Sequence, residues 1–402
     1  MAGRRRRRTD QQVGVLRGDG RREKCCAQKR GECVFHGILP RMIAGPTRPH
    51  ITCTQPISWN NRQLRDNRCM KRNHASEVRP SGKLGLHAPK RSPKPSGPTV
   101  KGLCAMPSSR LLPPLSLVTA VATYLTGEAE PTWTPLLGGR TNRLWRVRQG
   151  ARASVVKLYD PSSATLLFPN DPEAEFAALS HLAPRGLAPE PVAQFDSPEG
   201  PVVIYRYIPG RAQDAALQDL ATLLSRVHRA DPMPRCRSLP SGSAAVIAQT
   251  DAILAQCRGR PSPLHNLRRA VLALPEIAST RSRLIHGDPV ATNVVATPTG
   301  PVLIDWQCPA MGDPCEDLAI VLSPSMQESY RGEMLSEAEA AEFLTSYPDA
   351  ALIKRYQQLA PHYHLRMAAY ALWCAETGRS PDDTGMWHDL RAAESALSSA
   401  QA

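Results

Sequence analysis

From Leu115 onward the apolar positions recur with periods that define elements. Leu117, Val118, Val121, Ala122 and Leu125 repeat at helical spacing and predict a helix that ends at Gly127. Leu136 and Leu137 then run into Gly138-Gly139, and Leu144-Trp145-Arg146-Val147 follows. Residues 153–159 (ASVVKLY) are a β-branched run with a lysine inside it. A strand, a glycine turn and two further strands make a hairpin-type start. Residues 173–182 predict a helix with Phe176, Leu179 and Leu182 on one face. Residues 201–208 (PVVIYRYI) predict a buried strand closed by Pro209-Gly210. Beyond it, helical periodicity covers 217–228, 244–257, 338–347 and 351–377, with two short strands at 283–286 and 302–305. The expected class is α+β: a small antiparallel-sheet unit over 115–210, then a mostly helical region.

Residues 1 to about 105 show neither period, and Pro, Gly, Ser, Arg and Lys dominate them. Composition changes the picture here. The chain carries a net charge of +14, but residues 1–100 hold 23 Lys/Arg against 6 Asp/Glu. The remainder holds 27 against 30, so the basic excess belongs to the first quarter alone. That quarter has only Phe35 and Trp59 as aromatics, whereas residues 301–402 have nine. A segment so poor in core-forming side chains is expected to be a disordered basic tail. Its arginine run suits non-specific contact with nucleic acid. Cys25, Cys26, Cys33 and His36 match no common zinc spacing. The abrupt change near Met106 also fits a native start at that residue. Six cysteines are scattered through the larger part without ligand spacing, as expected for reduced thiols in the cytoplasm. No run of 18 apolar residues indicates a membrane span.

The sharpest chemical signal is His286-Gly287-Asp288-Pro289-Val290-Ala291-Thr292-Asn293, which follows the short apolar strand Leu284-Ile285. Asp305 comes twelve residues after Asn293, at the end of Val302-Leu303-Ile304-Asp305. An amide oxygen and a carboxylate at strand mouths suit magnesium, which prefers hard oxygen ligands and few protein contacts. A separate aspartate can accept the proton of an attacking hydroxyl. Phosphoryl transfer asks little more of a protein than positioning and charge neutralisation.

This pattern, HGD…N…IDW…GDP…DLA, resembles the aminoglycoside phosphotransferase and choline kinase family, over roughly residues 115–390. Gly312-Asp313-Pro314 and Asp317-Leu318-Ala319 extend the match. The resemblance implies a two-lobed protein-kinase-like fold. An N-lobe at 106–210 would bind nucleotide, and a C-lobe at 211–402 would hold the catalytic loop and acceptor pocket. It implies Asp288 as catalytic base, Asn293 and Asp305 as Mg²⁺ ligands, and ATP as phosphate donor. It implies Lys157 as the phosphate-binding lysine, paired with Glu175 or, alternatively, Glu173. Gly138, Gly139 and Asn142 would lie in the loop that covers the nucleotide, although LLGGRTN is not G-x-G-x-x-G. Residues 203–208, with Tyr205 and Tyr207, would form the adenine hinge. Asp313 and Asp317 would cap and anchor the helix after them.

The acceptor is expected to be a small-molecule hydroxyl. Tyr363, Tyr370 and Trp373 are spaced to share a helical face, alongside Trp306, Tyr330, Tyr356 and Trp387. They form either an aromatic wall for a choline-, thiamine- or amino-alcohol-like acceptor or a core stripe. Glu316, Glu328 and Glu333 make no obvious cluster for an aminoglycoside. The rival readings are a non-catalytic ATP-binding protein on the same fold and a nucleic-acid binder driven by the tail. Oligomeric state is not legible in the sequence.

Overall fold

The computed structural model describes residues 112–137, 141–213, 215–259 and 261–401. Expectations for residues 1–105 and for Gly138 and Gly139 lie outside the described residues.

Helix α1 (Leu115–Ala122) precedes strands β1 (Thr132–Leu136), β2 (Arg143–Gln149) and β3 (Arg152–Leu158). Helix α2 (Pro172–Leu182) and strands β4 (Pro191–Ser197) and β5 (Gly200–Arg206) follow. The five strands form one antiparallel sheet in the order β1-β2-β3-β5-β4. Period-2 alternation sorts the side chains of β3 between two faces. Val156 and Leu158 join Trp145, Val147, Val202 and Ile204 in a cluster with Leu117 and Val121 of α1. Val155 and Tyr159 turn the other way, into a cluster with Val203, Tyr205 and α2 residues Ala178, Leu179 and Leu182. Both faces of the central strand are therefore covered, which explains why ASVVKLY reads as a continuous apolar run.

Helix α2 starts where its sequence dictates. Asp171 accepts from the Ala174 amide at 3.0 Å, and Pro172 fills the first turn, where a missing N–H costs nothing.

The helical lobe contains β6 (Arg211–Ala212), α3 (Leu217–His228), α4 (Ser243–Gln256), α5 (Ser262–Leu272), β7 (Arg283–Ile285), β8 (Val294–Ala296), β9 (Val302–Leu303) and β10 (Ala310–Gly312). Helices α6 (Cys315–Leu322), α7 (Pro324–Arg331), α8 (Glu337–Ser346), α9 (Ala350–Glu376) and α10 (Thr384–Gln401) complete it. α9 is its axis and packs against α4, α5, α6 and α10. The result is a two-lobed, protein-kinase-like α+β fold.

The two short strands that lead to the chemical motifs do not pair with each other. β7 pairs with β10, while β9 pairs with β8, which in turn pairs with β6. Strand β4 and helices α5, α6, α7 and α10 were not foreseen from periodicity. α6 offers no amphipathic contrast, since all eight of its residues are buried, whereas α5 buries Leu264, Leu267 and Val271 on one face, a helical spacing that was readable. The aromatic face divides. Tyr356 and Tyr363 are buried in the main core with Trp306, and Trp373 belongs to a second cluster with α5 and α10. Among the described cysteines none forms a disulfide. No described helix is long and apolar enough to cross a membrane.

Candidate active site

Lys157 stands on β3 opposite Val203 of β5 and Leu144 of β2. Its Nζ lies 2.5 Å from Glu175 Oε2 and also contacts Asp305 Oδ1. The side chains of Lys157 and Glu175 are wholly buried. Tyr159, two residues along the strand and so on the same face, donates to the same Glu175 oxygen. Burial alone would favour a neutral Lys157, but the two carboxylates raise its pKa and keep it charged. The structure selects Glu175 over Glu173, which is exposed. Tyr159 was missed, although its period-2 relation to Lys157 was readable.

The loop after β7 is held from beneath. Asp317 of α6 accepts from the His286 and Gly287 amides, both at 2.8 Å, and pairs with His228 Nε2 at 2.9 Å. His228 Nδ1 is 2.7 Å from the Tyr347 hydroxyl. Burial pushes the Asp317 carboxyl up, yet the His228 hydrogen bond and charge, with help from His286, carry it below its usual range. Asp317 therefore anchors the loop rather than its own helix. Asp313 does serve the helix, through Cys315 N at 3.1 Å, and it also binds Arg355.

His286 is structural. Its Nδ1 accepts from the Asp288 amide at 3.2 Å, so Nε2 carries the proton and donates to Ile304 O at 3.0 Å. Burial lowers its pKa and keeps it neutral. Its ring lies 4.4 Å from that of Trp306. One imidazole thus ties the Asp288 loop to the segment entering Asp305. Gly287 has φ +82°, and a Cβ there would meet Cys308 O at 2.2 Å, so no other residue fits without moving backbone.

Asp288 is nearly buried, and its Oδ1 has no hydrogen-bond partner. Asn293 Nδ2 donates to Asp288 O at 2.9 Å and lies 3.5 Å from Oδ2. Burial, then the charges of Asp305 and Asp317, push the Asp288 carboxyl up to about 8. Asn293 closes a single 3-10 turn, and its carbonyl accepts from Ile304 N at 2.9 Å, which sets it beside Asp305. Asp305 has φ +64°, a conformation that costs a non-glycine residue about 1–3 kcal/mol and tends to mark functional positions.

Lys157, Glu175, Asp288, Asn293 and Asp305 are thus joined by direct or one-residue contacts. The expected nucleotide contacts fare differently. Asn142 Nδ2 donates to Gln307 Oε1 at 2.7 Å and to Asn170 Oδ1 at 2.8 Å, and its Oδ1 accepts from Asp160 N at 3.1 Å. The side chain is committed to the protein and ties β2 to the segment after Asp305. Tyr205 is buried within the electrostatic reach of Glu175 and Asp305. Tyr207 receives the Arg146 guanidinium over its ring at 5.3 Å. The amides of Arg206 and Tyr207 already donate to Glu190 O and Ala153 O.

Two cavities of about 120 Å³ flank the Asp288 loop. One adjoins Gly287 and is lined by Phe168, Arg237, Gln249, Glu316 and Arg366. The other has Pro289, Val290, Met326, Gln327, Tyr330 and Arg331 in its wall. No expectation included Arg237, which sits in an irregular segment with no local pattern to mark it.

The model of the APH phosphotransferase enzyme family matches residues 132–362, more than half of the chain. The chain belongs to this family. It is a small-molecule kinase by membership, and its HGD loop, Asn293 and Asp305 fall inside the matched region. Among solved structures, one assigned as an aminoglycoside phosphotransferase from Ralstonia eutropha superposes with a TM-score of 0.53 at 12% identity, covering 71% of this chain and 97% of its own. A choline/ethanolamine kinase family protein from Mesorhizobium loti is 18% identical, covers 71% and 91%, and has a TM-score of 0.46. A thermostable mutant of aminoglycoside phosphotransferase APH(4)-Ia, solved with AMP-PNP and hygromycin B, is 18% identical, covers 71% and 98%, and scores 0.49. At such identities the likeness is one of fold. A search of the curated proteins finds no match.

Proposed function

We propose that this kinase transfers the γ-phosphate of ATP to a hydroxyl of a small molecule, with Asp288 as the base. The observation that carries the reading is the unpartnered, buried Oδ1 of Asp288, set beside the Lys157–Asp305 pair. A buried carboxylate oxygen without a donor is costly, and the donor that fits is a substrate hydroxyl. Asp288 takes the hydroxyl proton as the oxygen attacks phosphorus, and the bond from the γ-phosphorus to the β–γ bridging oxygen breaks, releasing ADP.

Lys157 holds the phosphates, and Glu175 and Tyr159 fix its position. Asn293 and Asp305 fit magnesium. They offer an amide oxygen and a carboxylate, the hard donors that magnesium prefers. Such a site suits an ion that completes its shell with phosphate oxygens and water. When bound, magnesium neutralises charge on the transferring group. Phosphates bound at Lys157 would compete with Asp305 for its ammonium, and the Asp305 carboxylate would then be available to hold the metal.

Of the aromatic positions behind the choline-like expectation, several are core, whereas Tyr330 lines the second cavity and Trp387 is exposed. Tyr363 is 1% exposed and Trp306 is fully buried. Glu316, Glu328 and Glu333 are each paired, with Arg366, His388 and Arg331. The cavity beside Gly287 is the acceptor site in this reading, since it reaches the Asp288 loop from the helical lobe. A Mg·ATP transfer assay on residues 106–402 tests the function. Asp288→Ala removes transfer and spares nucleotide binding, whereas Asp305→Ala weakens Mg·ATP binding itself. Retention of transfer by either variant would sink the assignment.

A further inference from the structure

We infer that the acceptor carries an oxyanion group, carboxylate or phosphate, and that Arg237 binds it; this rests on the phosphotransfer reading above. The charges in the wall of the acceptor cavity are unequal in their partners. Arg366 is buried, 2.7 Å from Glu316 Oε2, and its Nη1 bonds Gln249 Oε1 at 2.6 Å. That pair is neutral as a unit and offers no net charge to a ligand. Arg237 is different. It has no carboxylate partner among the described residues, and its two bonds go to neutral carbonyls: Nε to Pro309 O at 3.2 Å and Nη2 to Cys308 O at 3.1 Å. A guanidinium has five N–H donors in a rigid fork, so three remain. The two carbonyls orient the fork without satisfying its charge.

The position of that fork is fixed relative to the chemistry. Cys308 O, which accepts from Arg237, is the same carbonyl that crowds the Cβ position of Gly287. The guanidinium thus lies against the residue that precedes Asp288. The Cys308 thiol lies within electrostatic reach of both Asp288 and Arg237. A small molecule can present a hydroxyl to Asp288 and an oxyanion to Arg237 at once. Arginine is the side chain suited to this task, because its paired N–H groups match the two oxygens of a carboxylate or phosphate. A cationic acceptor would meet Arg237 with no unpaired carboxylate in the cavity wall to offset it.

The experiment measures ADP release with Mg·ATP and a panel of short alcohols. Glycerate and 4-hydroxybutyrate form the carboxylate arm and glycerol 3-phosphate the phosphate arm. Glycerol is the neutral control, and choline and ethanolamine are the cations. Acceptor-dependent turnover is expected in an oxyanion arm, with kcat/KM at least tenfold above glycerol, and the better arm identifies the group. In Arg237→Ala, KM for that acceptor rises roughly 10- to 100-fold while KM for ATP is unchanged. Arg237→Lys restores part of the loss, and it carries the test if the alanine variant fails to fold. Turnover confined to glycerol or the cations, or an unchanged acceptor KM in both Arg237 variants, overturns the inference and leaves the kinase reading intact. No turnover with any member of the panel overturns both.

Discussion

The Lys157 end and the Asp288 end of the site are both buried, and each leaves one carboxyl oxygen without a hydrogen bond, Glu175 Oε1 and Asp288 Oδ1, but only at the first end does the carboxylate touch a cation. Around Lys157, one ammonium meets two carboxylates and a phenol on Glu175. Around Asp288, the backbone is held by His286, Asn293 and, through Gly287, Asp317, while one carboxyl oxygen is left over. The first region is locked by side-chain ion pairs, and the second is held through its backbone, with the Asp288 carboxyl joined to no cation. Removing a group should therefore cost folding stability at one end and catalysis at the other.

The widest separation comes from Asp288→Asn. Transfer should fall by about 10²–10⁴-fold or more, the usual contribution of a positioned base. The melting temperature should stay level or rise, because the amide replaces a buried carboxyl whose Oδ1 has no partner. A melting temperature that falls along with activity would show that Asp288 is part of the framework. Lys157→Met is the converse. It strands Glu175 and Asp305 without a counter-charge, and breaking a buried pair in this way costs about 3–5 kcal/mol. The denaturation midpoint should drop. Glu175→Gln in the same chain should recover part of that loss, since the two side chains share one contact.

This contrast was half legible in the sequence. Asp288, Asn293 and Asp305 lie within one short stretch at fixed spacing, so local pattern was enough to pair them. Lys157 and Glu175 are separated by only 18 positions, and the alternation of β3 placed the lysine, although it did not choose between the two glutamates; the burial of α2 did. The groups that hold the Asp288 loop come from far along the chain. His228 is brought to Asp317 by the packing of α3, and Tyr347 reaches it from the end of α8. Nothing in the local pattern of 217–228 marks its final histidine. The aromatic spacing on α9 left a wall and a core stripe both open; Tyr363 and Trp373 are buried, but in different clusters, because a helix packed on several sides offers each ring its own neighbours. Asn170 and Gln307, the hydrogen-bond partners of Asn142, are set by tertiary contact and left no local mark.

Asp317→Asn tests the foundation that both ends share. The wholly buried carboxylate accepts from two backbone amides and His228. Converting one oxygen to an NH₂ turns it against a donor, at a cost of about 1–3 kcal/mol. Stability should fall less than in Lys157→Met. The kcat should fall while KM for ATP holds, because the displaced loop carries Asp288 and not Lys157. A selective rise in KM for ATP would place the strain at the wrong end.

The smallest expected effect asks whether an unpartnered buried atom is enough to mark chemistry. His362 on α9 is 2% exposed, and its Nδ1 has no hydrogen-bond partner, as with Asp288 Oδ1. Burial alone lowers its pKa to about 4 from an ordinary 6.5. Between those values the unfolded chain binds a proton that the folded chain does not. Stability therefore falls as pH falls through that window, by at most about 1.4 kcal/mol per pH unit from this group. His362→Leu should flatten the acid side of the melting-temperature profile by that amount and leave kcat at neutral pH unchanged. A loss of kcat would mean that an orphaned polar atom on α9 also serves the reaction. An unchanged kcat would leave Asp288 distinguished by what surrounds it: a lysine, a second carboxylate and a cavity that can bring it a hydroxyl.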